Sequence, residues 1–268
     1  MLYQIFSYLN YYLKAKTVYN IHSPFVYDFI LNVMDTDKEY YCYNALENIR
    51  KALLRNETEI DFVDYGAGNH QGPRKVSEIA GSSLSSKAQC RLLFNLISSY
   101  KPKTVLEFGT SLGLSTMYMA KAIGHGSIYT MEGNPDSLLI ASEIFGQYHT
   151  ENINAYQGNF DSILESILER IKKIDMVFLD GNHRGQSTSD YFEKCKPYLS
   201  DDAIIVVDDI YWSPDMKGAW KRIIKDNDVS ISIDLFDMGI VFLNQKFSKE
   251  HHVLIDYWKK PWKLGIFG

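Results

Sequence analysis

The amino-acid sequence predicts an α/β fold: a mostly parallel sheet with an antiparallel last strand, preceded by an N-terminal helical extension. From residue 104 onward, short β-branched runs alternate with amphipathic stretches of helical length. Strands separated by such helices form right-handed βαβ units and a parallel sheet. Towards the end of the chain, two strand-like runs are separated by only three residues. That connection is too short for a crossover helix, so this pair must be antiparallel.

The same patterns place the individual elements. The predicted strands are Thr104–Phe108, Ser127–Glu132, Ile153–Gln157, Ile174–Asp180, Ala203–Asp208, Ser230–Phe236 and Ile240–Asn244. Helices are predicted between the parallel strands and after the last of them, at about 114–123, 136–147, 161–172, 187–196 and 215–226. In the extension, Ser23 followed by Pro24 is typical of a helix start. Leu46, Ile49 and Leu53 then repeat at helical spacing.

Four segments follow from this organisation. They are a helical extension at 1–60, a connecting loop with helices at 61–103, the main domain at 104–245, and a C-terminal tail at 246–268. Nine of the 19 tyrosines lie before residue 44, so the extension has an aromatic surface. We expect these rings to pack on the main domain, with a role in lining a substrate pocket as the alternative.

The segment Ile60–Asn69 also resembles a strand that runs into a glycine turn. No second strand ending in an acid follows at the right distance, and the residues from Pro73 to Lys75 are expected to open a short polar helix. We therefore interpret Gly66–Asn69 as part of a connecting loop. A lid over the site is the alternative.

Composition excludes several classes of protein. The chain has 268 residues, of which 46% are hydrophobic and 23% charged, which excludes wholesale disorder. A net charge of −5 argues against a nucleic-acid partner. No apolar run approaches the roughly 18 residues of a transmembrane helix, and the first residues lack the features of a signal peptide.

The cysteines and the C-terminal tail bear on the expected compartment and partners of the protein. Cys42, Cys90 and Cys195 are too few and too scattered for a disulfide framework or a zinc cluster, which predicts a reduced, cytoplasmic protein. Residues 257–263 mix lysines with aromatic rings, as membrane-contacting segments do. Because this is one short stretch on an acidic protein, no membrane partner is expected. A homodimer is compatible with the sequence.

Polar residues stand at the carboxyl ends of the predicted strands, where open α/β sheets bind their ligands. The first strand carries Glu107 and runs into a loop between Gly109 and Gly113, which lets the backbone approach a ligand at a helix start. The spacing Gly-x-x-x-Gly differs from the Gly-x-Gly-x-x-Gly of dinucleotide sites. Glu132 closes the second strand 25 positions after Glu107, which suits two ribose hydroxyls. Together these features predict a nucleotide-binding loop.

The fourth and fifth strands end in carboxylates. Asp180 closes one, Asp208 and Asp209 close the other, and His183 follows Asp180 by three residues. Like charges this close are costly unless a cation balances them, and two carboxylates with waters suit a magnesium ion. The alternative is that Asp208 or Asp209 caps the helix near Ser213. His183 is predicted to be a general base, because a neutral imidazole accepts a hydroxyl proton near neutral pH; a hydrogen bond to a loop carbonyl is the alternative.

Four segments, taken in order, resemble the motifs of class I S-adenosylmethionine-dependent methyltransferases, and most of all those of the catechol and caffeoyl-CoA O-methyltransferase group. They are Val105–Ser115, Tyr129–Asp136, Asp175–Asp180 and Ile204–Asp209. The resemblance covers about residues 85–245 and implies a Rossmann-like methyltransferase sheet with S-adenosylmethionine as cofactor. The residues that it assigns to the cofactor are Glu107, Gly109, Thr110, Ser111, Gly113, Ser115, Met131, Glu132, Asn159, Phe160 and Asp180.

The resemblance also implies a metal and a catalytic group. Asp180, Asp208 and Asp209 fall on metal-ligand positions, which implies Mg²⁺, and Asp180 is also assigned to catalysis. His183 falls where that group commonly has a catalytic lysine. Two departures stand out: the usual Asp-Asn pair is Asp208-Asp209 here, which adds negative charge, and an imidazole replaces the lysine.

We therefore predict an enzyme that transfers a methyl group from S-adenosylmethionine to an oxygen, or less expectedly a nitrogen, of a small molecule. Two alternatives remain. A nicotinamide-dependent oxidoreductase requires a Gly-x-Gly-x-x-Gly turn and a parallel final strand, and the sequence predicts neither. A non-catalytic cofactor-binding or scaffold protein would use the extension as an interaction surface.

Overall fold

The computed structural model describes residues 2–63 and 71–260; the predicted Gly66–Asn69 loop lies outside the described residues. The helices are α1 Leu2–Lys14, α2 Pro24–Phe29, α3 Tyr43–Leu53, α4 Val76–Ser83, α5 Lys87–Tyr100, α6 Leu114–Ala122, α7 Pro135–Gln147, α8 Phe160–Ile171, α9 Gly185–Cys195 and α10 Pro214–Ile223. The strands are β1 Glu59–Val63, β2 Gln71–Lys75, β3 Thr104–Phe108, β4 Ser127–Glu132, β5 Ile153–Gln157, β6 Ile174–Leu179, β7 Leu199–Asp208, β8 Ile231–Asp234, β9 Met238–Phe242 and β10 Glu250–Val253. In that same part of the chain, no helix is both long and apolar enough to cross a membrane.

The central sheet has eight strands in the order β10-β8-β9-β7-β6-β3-β4-β5. β3, β4 and β5 pair in parallel. β9 runs antiparallel to both β7 and β8, which confirms the predicted hairpin and the mostly parallel sheet. The turn lies earlier than predicted, because Met238 and Gly239, which were predicted to lie between the two strands, are the first residues of β9. β10 pairs in parallel with β8 and lies in the segment predicted as a tail. Its four residues, Glu-His-His-Val, carry no apolar pattern that would have indicated a strand.

Strand bounds follow the burial of the side chains. β3, β4 and β5 occupy the predicted residues. β7 begins four residues earlier than predicted, at Leu199. The prediction missed residues 199–202 because they are not buried, whereas Ala203–Asp208 are. Buried β-branched runs are therefore reliable signals here, whereas exposed strand ends are not.

The chain divides into two compact units, one formed by residues 1–34 with 175–268 and the other by residues 35–174. The predicted extension is helical, and its helices α1 and α2 belong to the first unit while α3 belongs to the second. The four-segment division of the sequence stays a prediction.

In the first unit, aromatic rings of the N-terminal helices pack on the last strands. Tyr11 of α1 lies in a small cluster with Ile255, and its ring centroid is 5.3 Å from that of Phe236. Phe25 of α2 meets Phe242 of β9 edge to face at 4.9 Å. Tyr11 thus packs as expected of the extension tyrosines, whereas others are exposed: Tyr8, Tyr19, Tyr27 and Tyr41.

In the second unit, α3 contributes its predicted apolar face to the core. Leu46, Ile49 and Leu53 are buried there. Tyr43, at the start of the helix, packs against Phe94 of α5 with ring centroids 5.1 Å apart. The spacing of three and four residues thus identified the buried face of this helix correctly.

A two-stranded hairpin precedes α4 in the second unit. β1 and β2 pair antiparallel, with Asp61 opposite Pro73 and Glu59 opposite Lys75. The predicted polar helix at Pro73–Lys75 is therefore wrong: these residues extend along β1, and the helix begins only at Val76. Residues 73–75 are extended because they pair with β1, and the local sequence pattern does not reveal that partner.

Candidate functional site

Glu107 near the end of β3 is fully buried and surrounded by hydroxyl groups. It accepts hydrogen bonds from Ser115 Oγ at 2.7 Å, Thr116 Oγ1 at 2.6 Å and Thr130 Oγ1 at 2.7 Å. Burial raises the pKa of the Glu107 carboxyl to about 7, and the three hydroxyl donors act against that rise. Glu107 therefore ties the first turn of α6 to β4.

The loop after β3 is fixed by main-chain hydrogen bonds to the end of β4. The N–H groups of Gly109 and Thr110 both donate to the carbonyl of Met131, at 3.0 and 3.1 Å. Gly113, with a φ of +81°, begins α6, and a Cβ there would lie 2.7 Å from the ring of Phe145. A side chain at this position would clash with α7, so the second glycine is required by packing as well as by backbone conformation.

Glu132 joins three segments at one edge of the second unit. Its Oε2 accepts from the Ser111 N–H at 2.7 Å, and its Oε1 accepts from the Asn134 N–H at 2.8 Å. Its carbonyl accepts from the N–H of Gly158, which follows β5, at 2.9 Å. The half-buried carboxylate is thus held in one orientation by the loop after β3 and the start of α7.

Three more residues that the resemblance assigns to the cofactor lie at the end of β4 or just after β5. Met131 is fully buried at the end of β4. Asn159 caps α8, since its side-chain oxygen accepts the N–H of Asp161 at 2.9 Å. The ring of Phe160 meets that of Phe108 edge to face, with centroids 5.7 Å apart. The predicted cofactor residues that lie in the second unit are Glu107, Gly109, Thr110, Ser111, Gly113, Ser115, Met131, Glu132, Asn159 and Phe160.

The remaining predicted residues lie in the first unit, at the ends of β6 and β7. Asp208 is buried and shares a hydrogen bond with Asp180, so one of the two carboxyls must carry the proton that the other accepts. Burial, and then the charge of Asp209, raise the pKa of Asp208 to about 7. Burial and the neighbouring charge thus favour the protonated form of Asp208.

Asp209 and His183 face each other beside an exposed ring. His183 Nδ1 lies 3.4 Å from Asp209 Oδ2, and the ring centroids of His183 and Trp212 are 6.0 Å apart. Burial raises the pKa of Asp209, and the His183 imidazole opposes this rise. Asn182, His183 and Asp209 all have left-handed backbone angles, with φ of 75°, 43° and 53°. Such conformations at strand ends occur where a site requires a particular side-chain direction.

The helix-cap alternative for the acidic pair is wrong. Ser213 is the N-cap of α10, and its Oγ accepts the N–H of Met216 at 3.1 Å. Asp215, in the first turn of that helix, instead accepts the N–H of Gly185 at 2.7 Å and so holds the start of α9. Asp208 and Asp209 are therefore available for another role.

The three aspartates do not form a metal-binding group as they are placed. The described residues contain no cluster of three or more histidine, cysteine, aspartate or glutamate side chains arranged to hold a metal ion. Asp180 and Asp208 are joined to each other by a hydrogen bond, whereas Asp209 faces His183. Mg²⁺ is usually held by one or two carboxylates with several waters, whereas the carboxyl groups of Asp180 and Asp208 are engaged with each other here.

Several residues of the site escaped the sequence analysis. Thr116 and Thr130 bind Glu107, Asn134 holds Glu132, and Trp212 lies beside His183. Asp237 also lies near Asp209: burial, and then the charge of Asp209, raise the pKa of the Asp237 carboxyl. The sequence signal for Asn134 was present, because Asn before Pro135 is a common helix start. Isolated threonines and tryptophans carry no comparable signal.

Comparison with known proteins gives matches of sequence and of fold. Residues 106–210 match a family model described as a methyltransferase domain. Catechol O-methyltransferase B of Danio rerio is 31% identical over 141 residues, which are 50% of this chain and 50% of that protein. The chain therefore matches about half the length of this curated relative.

Two solved structures illustrate the likeness of fold. The O-methyltransferase TomG of Streptomyces achromogenes, solved with S-adenosylmethionine, has a TM-score of 0.55 and 19% identity, over 82% of this chain and 95% of that one. An O-methyltransferase of Bacillus cereus, solved with S-adenosylhomocysteine, has a TM-score of 0.57 and 16% identity, over 82% and 97%.

Proposed function

We propose that this chain, which carries a class I S-adenosylmethionine-dependent methyltransferase domain, transfers a methyl group from that cofactor to an oxygen of a small molecule. One observation carries the proposal: the loop after β3 is fixed to the end of β4, with Glu132 oriented by the N–H groups of Ser111 and Asn134. A glycine-containing loop at the start of a helix places main-chain N–H groups near a ligand, and an acidic residue at the end of the neighbouring strand can accept ribose hydroxyls. This combination suits a cofactor that joins a nucleoside to a charged amino acid.

Within this proposal each residue of the second unit has a distinct task. Glu132 accepts the ribose hydroxyls, because a carboxylate receives two such donors in a fixed orientation. The loop from Gly109 to Gly113 leads into α6, and the main-chain N–H groups in the first turn of that helix are the proposed donors to the amino-acid part of the cofactor. Glu107 is a positioning residue, since it is fully buried and holds the loop through Ser115.

His183 is the proposed general base. With the proton on Nδ1, directed at Asp209 across 3.4 Å, Nε2 is the acceptor for a hydroxyl proton. Asp209 then stabilises the imidazolium that forms. When bound, S-adenosylmethionine supplies an electrophilic methyl group on its sulfonium sulfur. The acceptor oxygen bonds to that methyl as the carbon–sulfur bond breaks, the O–H proton passes to His183 and then to solvent, and the products are a methyl ether and S-adenosylhomocysteine.

The residues beside His183 favour a flat acceptor. Trp212 is 51% exposed and lies next to the imidazole, so its ring is available to a bound molecule. The curated relative is named for catechol. We therefore take small phenols and catechols as the first acceptor class to test.

A metal has no part in the steps proposed here. The hydrogen bond between Asp180 and Asp208, and the pairing of Asp209 with His183, account for the carboxyl groups without one. Activity on an acceptor should survive exhaustive treatment with a chelator. A loss that added Mg²⁺ restores would return these aspartates to the role of metal ligands.

The proposed location is the cytoplasm. Cys42, Cys90 and Cys195 are buried and form no disulfide, as in a reducing compartment. Burial raises the pKa of the Cys195 thiol to about 12, so this thiol does not react readily. Cell fractionation measures the location directly, and recovery of the protein from a secreted fraction would contradict it.

Calorimetry separates the proposal from its alternatives. S-adenosylmethionine and S-adenosylhomocysteine should bind, and NAD should not. Glu132→Ala should weaken that binding by about 1.5–3 kcal/mol, the range for hydrogen bonds to a charged group. Glu143→Ala, which removes an exposed carboxylate of α7, serves as the matched control and should bind normally. Tight NAD binding would exclude a methyltransferase, and cofactor binding without S-adenosylhomocysteine formation from any acceptor would indicate a scaffold.

A further inference from the structure

Helix α1 is held to the first unit along one of its faces. Tyr11 is buried, and its hydroxyl donates to the carbonyl of Leu254. Lys260 is also buried; its Nζ donates to the carbonyls of Tyr12 and, at 2.8 Å, Ala15 near the end of the helix. Past the helix, the N–H of Lys16 donates to the β10 carbonyl of Val253 at 2.8 Å. The helix is therefore fixed in rotation about its axis.

Its opposite face is apolar and exposed. We call this face the α1 stripe, and it consists of Leu2, Ile5, Phe6, Leu9 and Leu13. Their exposed fractions are 73%, 51%, 68%, 52% and 76%. The positions repeat every three or four residues, so they form one continuous surface along about 20 Å of helix. Exposed apolar residues scattered singly are ordinary, but a continuous stripe of five indicates a binding surface.

Lysines lie beside the stripe, although the chain as a whole has 33 acidic and 28 basic residues. Lys14 and Lys16 are exposed at the end of α1. Lys14 also lies near Lys217, because burial, and then the charges of Lys221 and Lys14, lower the pKa of Lys217. Lys259, whose carbonyl accepts the Tyr12 hydroxyl at 3.1 Å, is paired with Asp256 at 3.0 Å.

Exposed amphipathic rings lie at the same end of the helix. Tyr19 and Tyr257 meet edge to face with centroids 6.1 Å apart, and they are 62% and 49% exposed. Trp258 is 62% exposed, with the Lys259 ammonium 4.9 Å from its ring centroid. Tyrosine and tryptophan are enriched where apolar and aqueous surroundings meet, because one end of each ring is polar.

We propose that the α1 stripe binds the surface of an anionic lipid bilayer. The helix would lie in the plane of the interface with its apolar face about 5–10 Å into the headgroup and acyl boundary. Lys14 and Lys16 would add electrostatic attraction to anionic headgroups. Such binding differs from crossing the membrane, and it docks the protein on the lipid by a surface that the methyl-transfer proposal does not use.

Charge favours lipid over a second copy of this chain. A two-fold dimer through the stripe would bring Lys14 and Lys16 of both copies together. Like charges at an interface are repulsive, whereas an anionic surface attracts the same lysines. The apolar stripe and its lysines therefore complement a bilayer better than they complement themselves.

Vesicle flotation of the full-length protein tests this proposal. The vesicles are phosphatidylcholine alone, or phosphatidylcholine with about one third phosphatidylglycerol, which supplies the anionic charge. We expect binding to the anionic vesicles, weaker binding to the neutral ones, and a marked loss of binding in about 1 M NaCl, where the Debye length is about 3 Å.

Point variants assign the binding to the stripe. Leu9→Glu should reduce partitioning about tenfold or more, since it replaces a side chain that enters the apolar layer. Lys14→Gln should reduce it about fivefold on anionic vesicles and little on neutral ones. Leu139→Glu changes a 60% exposed leucine of α7 and is the matched control that should bind normally. Circular dichroism and S-adenosylhomocysteine binding check the fold; if Leu9→Glu does not fold, Leu13→Gln replaces it.

The outcomes are separable. Salt-sensitive binding that Leu9→Glu abolishes and Leu139→Glu preserves would support the proposal. Absence of binding to either vesicle, or equal loss in both leucine variants, would overturn it. Sedimentation that detects a dimer which Leu9→Glu dissociates, without vesicle binding, would assign the stripe to a second copy instead. None of these results depends on methyl transfer.

Discussion

The Glu107 carboxyl combines complete burial with three hydroxyl donors, and burial has the larger effect on its pKa, which rises to about 7. Because the unfolded chain releases the proton at lower pH, the folded state binds more protons between these values. The free energy of unfolding therefore falls as the pH rises from about 4.5 to about 7. Above that range, the penalty for the buried charge is fully present.

Glu107→Gln removes this ionisation and gives the first prediction. The variant should gain stability relative to the wild type as the pH rises from about 5 to about 8, by up to about 3 kcal/mol. Urea unfolding across this range measures the difference. Glu143→Gln, on an exposed carboxylate, should show no such trend. A difference for Glu107→Gln that does not vary with pH would mean that the carboxyl is protonated or ionised throughout.

His183→Ala tests the proposed base. Turnover should fall about 10²–10⁴-fold, the usual contribution of a positioned general base, while S-adenosylhomocysteine affinity stays close to the wild type. His125→Ala removes an exposed imidazole and should leave turnover unchanged. Turnover near the wild-type rate in His183→Ala would assign the proton to another acceptor. Rates come from S-adenosylhomocysteine release with a phenolic acceptor.

At the scale of secondary-structure elements, Asn134 links three segments of the second unit. Its side chain caps α7 by accepting the Ser137 N–H at 2.7 Å and donates to the Asp61 carbonyl of β1 at 2.9 Å. Its own N–H donates to Glu132. The β1–β2 hairpin, the start of α7 and the proposed ribose carboxylate are thereby held together.

Asn134→Ala should lower the free energy of unfolding by about 1 kcal/mol, as expected for a lost N-cap, and should also weaken S-adenosylhomocysteine binding. Ser86→Ala is a matched control, because Ser86 caps α5 through the Gln89 N–H at 3.2 Å and contacts none of the proposed cofactor residues. It should lose similar stability with unchanged affinity. Equal affinities in both variants would show that the cap serves stability alone. Chemical unfolding and calorimetry give the two quantities.

At the scale of the whole molecule, cofactor binding should raise the melting temperature. A ligand present at about 100 times its Kd stabilises the folded state by about 2.7 kcal/mol. For a chain of this size that corresponds to roughly 5–10 °C. S-adenosylhomocysteine should give this shift in a thermal scan, and Glu132→Ala at the same ligand concentration should give a smaller one. A comparable shift with NAD would contradict the proposed cofactor.

The sequence alone determined the parallel strands and the residues at their ends. The runs at 104–108 and 127–132 are buried β-branched segments, and that pattern is local, so the strands that carry Glu107 and Glu132 were predicted residue by residue. The hairpin near the chain end followed from the length of its connection alone.

The tertiary structure decided what depends on partners distant in sequence. Lys75 lies in a strand because it pairs with Glu59, and the hydroxyls around Glu107 come from α6 and β4. The sequence periodicity of α1 predicts that the helix has two different faces, but it does not predict which face packs on the rest of the first unit. The contacts of Tyr11 with Leu254 and of Lys260 with the helix end turn the apolar face outward, because a helix has one rotation about its axis and those bonds fix it.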